Sequence, residues 1–163
     1  MKNYLQSVLL FLKRFLLLVL IYQLCRLLFL VFNISTFNGL TIKTFLGGLH
    51  FDLSAIAYIN IFFAILHSLP GNFKYKPNYQ KTLKIAFFAV NLLFILTNFV
   101  DFEYYKFTGR RSSYGMITAS GMENEIGGLI FSFLAEFWYL PVIGLLLAIV
   151  FWKTIPNIKL KSP

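Results

Sequence analysis

The run FLLLVLIYQLCRLLFLVF, Phe15 to Phe32, constrains this chain more than any other feature: it holds eighteen consecutive residues and a single charge, Arg26. At about 1.5 Å per residue such a helix reaches roughly 27 Å, close to the ~30 Å of a bilayer's hydrocarbon core. Three more segments behave alike. One runs from Phe45 to Leu69 and stops at Pro70-Gly71, and one from Leu83 to Phe102. The last runs from Phe137 to Trp152, after the lead-in IGGLIFSFLAE, Ile126 to Glu136. The pattern predicts an all-α polytopic membrane protein with spans at about 12–33, 45–69, 83–103 and 136–153. The lead-in reads as a short interfacial helix before the fourth span, or else as the start of one long helix kinked at Pro141. Lys13-Arg14 ahead of an apolar run also suits a signal peptide, but the run is long and NISTFNG offers no small-x-small cleavage site, so the first span is read as retained.

Composition agrees: 58% of the 163 residues are hydrophobic, 13% are charged and the mean hydropathy is +0.72, too little polarity to cover a water-soluble domain. The net charge of +9 does not point to nucleic acid, because the bases flank the spans instead of tiling one face. Ten of the fifteen bases fall on the N-terminal flank (Lys2, Lys13, Arg14), the 74–84 loop and the C-terminal tail, and none of the six acids does. By the positive-inside rule those three regions are cytoplasmic, so both termini are inside and the 33–44 and 103–125 loops are outside. The lone Cys25 forms no internal disulfide, and His50 and His67 lack metal-ligand spacing. No phosphate-binding loop, zinc signature or nucleophile elbow is present.

Direction sets depth. Arg26 lies about 10 Å from the outer end of the first span and Asp52 about 12 Å from that of the second, so opposite charges share a level. An unpaired charge in hydrocarbon costs about 2.5–3.5 kcal/mol, which predicts an Arg26–Asp52 pair. Either it fixes helix register or it lines a polar pocket open to a lipid head group in the outer leaflet. His50, Asn98, Asp101 and Glu136 approach the same zone, and Asn91 and Asn98 share a helix face. The inner halves read as free of comparable acids or bases, which argues against a proton or ion path. The remaining polar features have plain readings. Tyr104, Tyr105, Trp138 and Tyr139 suit an interfacial belt, and the lysines of the 74–84 loop suit contact with anionic lipid. Arg110-Arg111 balance the nearby glutamates or hold phosphates, and Ser112-Ser113 cap a short helix after Gly109. Asn33-Ile-Ser35 matches a glycosylation acceptor.

GLHFDLSAIAYIN (Gly48–Asn60), a short Pro-stopped basic loop and NFVDFEYYKFTGRRSSYG (Asn98–Gly115) follow one another in an order that resembles the membrane domain of the bacterial lipoteichoic acid synthase family, in particular its sulfatase-like Gram-negative relatives. The resemblance implies a bacterial inner-membrane protein that anchors an outward catalytic domain of the alkaline phosphatase/sulfatase fold. That domain uses a divalent metal, typically manganese, to transfer phosphoglycerol or phosphoethanolamine, or to hydrolyse a related ester. The family has five membrane helices. This chain supplies four and neither the fifth helix nor the catalytic domain, so no catalytic or metal residue maps onto it and no cofactor is expected in it. Relatives commonly carry arginine at the position of His50. Under this reading the chain is inert alone, its partners are the phospholipid bilayer and an outer catalytic domain, and Arg26, His50, Asp52, Asp101, Glu103, Arg110 and Arg111 contact a lipid head group or that domain. The alternative is a self-contained four-helix transporter or scaffold.

Overall fold

A computed structural model describes residues 2–36, 42–109 and 134–156. Among them the chain is helical, without a strand: α1 (Lys2–Phe32), α2 (Ile42–Ser68), α3 (Pro77–Thr108) and α4 (Tyr139–Thr154), with 3-10 turns at Ile34–Thr36 and Asn72–Tyr75. Three helices are long and apolar enough to cross a membrane, over Tyr4–Phe32, Phe45–Ser68 and Pro77–Lys106. The fourth, with 16 residues, reaches about 24 Å.

Each helix stops for a local reason. At Pro70 the missing N–H and the restricted residue before it end α2, and Gly71 takes φ 129° to turn the chain. Tyr79 then donates its hydroxyl to the Leu66 carbonyl at 3.2 Å, one of the acceptors that the end of α2 leaves open. Pro77 occupies the first turn of α3, where its absent N–H costs nothing. Gly109 closes α3 in the left-handed conformation, φ 64°, with its N–H on the Tyr105 carbonyl at 2.9 Å.

Pro141 shapes the start of the fourth segment. Its ring and lost N–H act on the carbonyl of Phe137, four residues earlier, so a helix cannot pass straight through. That carbonyl instead accepts the N–H of Leu140 at 2.9 Å, and a turn at Phe137-Trp138 separates the short helix at 134–136 from α4. The rest of the lead-in, 126–133, lies outside the described residues.

Helix α1 packs on both α2 and α3, and α4 packs on α3. The core collects Leu18, Ile21 and Cys25 of α1, Ile56 and Phe63 of α2, Phe87, Ile95 and Phe102 of α3, and Leu147 and Phe151 of α4. Gly144 lets α4 close on α3, since a Cβ there would stand 3.2 Å from a methyl of Leu96. The outward faces are apolar too: Leu5, Leu9, Leu12, Leu16, Leu20 and Val31 form an exposed stripe on α1, and Phe51, Tyr58 and Phe62 stand out from α2. A helix apolar on every side needs an apolar surrounding, and the chain has the make-up of a helical membrane protein.

The helix bounds differ from the sequence reading most at α1, which begins at Lys2 and not near residue 12. The segment before Lys13 contains no Gly or Pro and is rich in leucine, so nothing local breaks the helix. Helix α3 likewise runs past Asp101 to Thr108, so Asp101 and Glu103 sit on a helix and not in an exit loop.

Candidate functional site

Polar side chains inside the bundle gather at its two ends, with one isolated pair between. At the end reached by the C-terminus of α1, Arg26 meets Asp52 as expected: Nη2 and Nε lie 2.6 and 2.9 Å from Oδ2. Nη2 also donates to the Gly48 carbonyl at 2.6 Å, and Gln23 Nε2 donates to the same Asp52 oxygen at 3.2 Å. The guanidinium therefore lies flat along one turn of α2. Gly48 makes that possible, because a Cβ at this position would overlap the guanidinium itself. The two side chains are 17% and 16% exposed, and among the described residues Asp52 Oδ1 accepts nothing. His50 is not part of this cluster. It sits on an exposed face of α2, its ring beside Phe51 and its carbonyl accepting from Ser54.

The same end joins α3 to α1 and α4. Glu103, buried, accepts the Tyr139 hydroxyl at 2.5 Å and Lys106 Nζ at 2.7 Å through Oε1. Tyr139 stacks on Phe32 with planes 6° apart, so the residue expected to be a simple interfacial aromatic fastens the first turn of α4 to both neighbours. Asn33 is fully buried. Its amide nitrogen donates to the carbonyls of Phe29 and Phe102, both at 3.0 Å, which closes α1 and ties it to α3. Glycosylation would need that nitrogen free and exposed, so the acceptor reading of Asn33-Ile-Ser35 is withdrawn. Asp101 is buried on α3, and Trp138 is exposed. Arg110, Arg111, Ser112 and Ser113 lie outside the described residues.

Further along, Asn60 and Asn91 form a reciprocal amide pair between α2 and α3, each donating to the other's oxygen at 2.9 Å. Each also donates to its own preceding turn, at the Ile56 and Phe87 carbonyls, so both amides are satisfied in an apolar core. Asn91 stood out in the sequence; Asn60 did not, although a polar residue in the second span was the available signal. Asn98, seven residues after Asn91 on α3, donates to the Phe94 carbonyl at 3.0 Å.

The opposite end departs from the sequence reading in what it buries. Arg14, read as a cytoplasmic flank, is wholly buried between helices. Its guanidinium reaches His67 Nε2 and the Pro156 carbonyl, each at 3.4 Å, and lies 5.8 Å from the centre of the Phe87 ring. The helix halves that the sequence reading took as inner are thus not free of bases. Lys74, expected to touch lipid, is 1% exposed, with Nζ 4.3 Å from the Tyr4 ring centre and 5.5 Å from that of Tyr75. Among the described residues no hydrogen-bond acceptor meets that ammonium, and its burial lowers its pKa below the ordinary lysine value. Lys84, on the outside of α3, lies over the Trp152 ring.

Chemically, the first end offers a guanidinium and a carboxylate oxygen side by side, able to bind a group that carries both acceptors and donors. Among the described residues it offers no nucleophile paired with a base, and no three His, Cys, Asp or Glu side chains are grouped to hold a metal. Compared with family models, curated proteins and solved structures, the chain matches none.

Proposed function

We propose that this chain is the membrane-anchoring domain of a lipoteichoic acid synthase-like enzyme of the bacterial inner membrane. Four helices cross the bilayer, both termini are cytoplasmic, and the end bearing Arg26, Asp52, Asp101 and Glu103 faces outward. That end positions a phospholipid head group and seats a catalytic domain, which transfers phosphoglycerol or phosphoethanolamine or hydrolyses a sulfate-type ester. The manganese or other divalent metal implied by the resemblance belongs to the catalytic domain, and no residue of this chain is assigned to it.

The observation that carries the reading is the segregation of charge along the bundle. Asp52, Asp101, Glu103 and Glu136, the described acids, all lie towards one end, with Arg26, Lys43 and Lys106, while Arg14, Lys74, Lys76 and Lys153 lie towards the other, where no described acid is found. Positive-inside topology turns that polarity into a direction. The resemblance through FDLSA and DFEYYKFTGRRSS adds the family. The head-group role rests on Arg26, whose guanidinium suits a phosphate, and on Asp52 Oδ1, which suits a glycerol hydroxyl or an ethanolamine ammonium. The short α4 reaches across with the help of the turn at Phe137-Trp138, where Trp138 suits the interface.

Sequencing the locus beyond the codon for Pro163 tests the assignment. A reading frame for an alkaline-phosphatase-fold domain, in frame or adjacent, is the expected finding. A flanking region that encodes no such domain overturns it.

A further inference from the structure

We infer that Lys74, backed by Arg14, forms a binding site for a phosphate group, that of an anionic phospholipid in the leaflet at the α2–α3 turn. The site lies at the end of the bundle opposite the Arg26–Asp52 cluster, and its existence does not depend on the family assignment. Tyr4, Ser7, Phe11 and Arg14 recur at three- and four-residue intervals and so share one stripe of α1. The last turn of α2 lies along that stripe: Ser7 Oγ donates to the His67 carbonyl at 3.0 Å, and the His67 ring sits 5.5 Å from that of Phe11. Lys74 closes the outer end of the stripe over Tyr4, and Arg14 closes the deeper end against His67.

Two buried cations thus bound one stripe, and among the described residues neither meets a carboxylate. The salt bridges among the described residues are Arg26–Asp52 and Lys106–Glu103, both at the far end. The chain has only six acids, and the sequence places none of them between Lys2 and Phe51, between Leu53 and Val100, or after Glu136. Arg14 makes do with three contacts at 3.4 Å, long for charge-assisted hydrogen bonds, which run about 2.7–2.9 Å. Lys74 Nζ has aromatic faces and no acceptor. A counter-ion from outside the chain completes the balance. The turn carrying Lys74 follows the end of α2 at Ser68, the level at which lipid phosphates lie, and lysine is a common point-charge ligand for phosphate. Tyr4, itself 46% exposed, lies over Nζ, so the proposal requires its ring to turn aside for a phosphate to reach the ammonium.

Native mass spectrometry of the full chain, purified in neutral detergent and offered phosphatidylglycerol or phosphatidylcholine, tests this. The expected result is at least tenfold greater retention of phosphatidylglycerol, falling threefold or more in Lys74→Met and unchanged in Lys81→Met, which alters an exposed lysine of the same region. Should Lys74→Met misfold, Lys74→Arg and Tyr4→Ala decide: both are expected to keep the lipid, the second with faster exchange because Nζ is uncovered. Displacement of the lipid by millimolar inorganic phosphate assigns recognition to phosphate alone. Resistance to displacement assigns it to the lipid. Equal retention of the two lipids, or wild-type retention in Lys74→Met, overturns the proposal.

Discussion

The Arg26–Asp52 contact makes a quantitative prediction through Gly48. Removing either charge alone, as Arg26→Leu or Asp52→Leu, leaves the other unpaired among apolar helices. The full cost on insertion scales is about 2.5–3.5 kcal/mol, and partial exposure reduces this to about 2 kcal/mol. The double change leaves no stranded charge; it loses the Gln23 bond to Asp52 and the Arg26 bond to the Gly48 carbonyl, together about 1 kcal/mol. The coupling energy is then about 3 kcal/mol, well above the scatter expected of independent sites. Gly48→Ala reaches the same interaction without touching a charge. Its Cβ would occupy the place of the guanidinium, so Arg26 must leave both the Gly48 carbonyl and Asp52, at a cost of about 2 kcal/mol. In an Arg26→Leu background the same alanine should cost almost nothing. Unfolding of the purified protein by titrated denaturing detergent, followed by helicity, gives all the free energies needed. Additive losses for the charge pair, or an equal penalty for Gly48→Ala with and without Arg26, would refute the reasoning.

Three further outcomes follow from other contacts. Tyr139→Phe removes a hydroxyl bonded to a buried carboxylate and should destabilise the protein by about 1.5–3 kcal/mol in thermal melts. Asn60→Leu or Asn91→Leu alone should each cost about 1 kcal/mol, because the remaining amide loses its partner in hydrocarbon, and the double change should recover most of it in the same melts. Lys74 predicts a pH dependence in lipid-free zwitterionic detergent. Burial lowers its folded-state pKa below 10.5, so across the window beneath 10.5 the unfolded chain binds more protons and the Lys74 contribution to stability rises with pH. The stability difference between wild type and Lys74→Met should therefore shift in favour of wild type between pH 8 and pH 10; a shift the other way would contradict the burial of that ammonium.

What was legible in the sequence follows from what is local. Helix-length apolar runs announce themselves, and Pro70-Gly71 marks an end by backbone chemistry that needs no neighbours, whereas the reach of α3 from Pro77 to Thr108 exceeds the apolar run that announced it. The Arg26–Asp52 pair was legible because depth along two antiparallel helices can be counted, and opposite charges at one level have few other partners. Arg14 was misread for the converse reason. A charged pair, Lys13-Arg14, looks like a boundary, yet only Lys13 is exposed; the contacts that hold Arg14 come from His67 and Pro156, 53 and 142 residues away. Glu103 and Tyr139 are joined across 36 residues, and nothing in either local pattern distinguishes a hydroxyl donor from an interfacial ring. Asn33 shows the same limit: its tripeptide advertises a modification site, while its burial against Phe102 makes it a helix-end clamp.

The direction of the bundle underlies both proposed lipid contacts, and reporter fusions measure it directly. Green fluorescent protein joined after Pro163 should fluoresce and alkaline phosphatase there should be inactive, while alkaline phosphatase joined after Gly109 should be active. The reverse pattern would place the lysine-rich end outside and contradict the account.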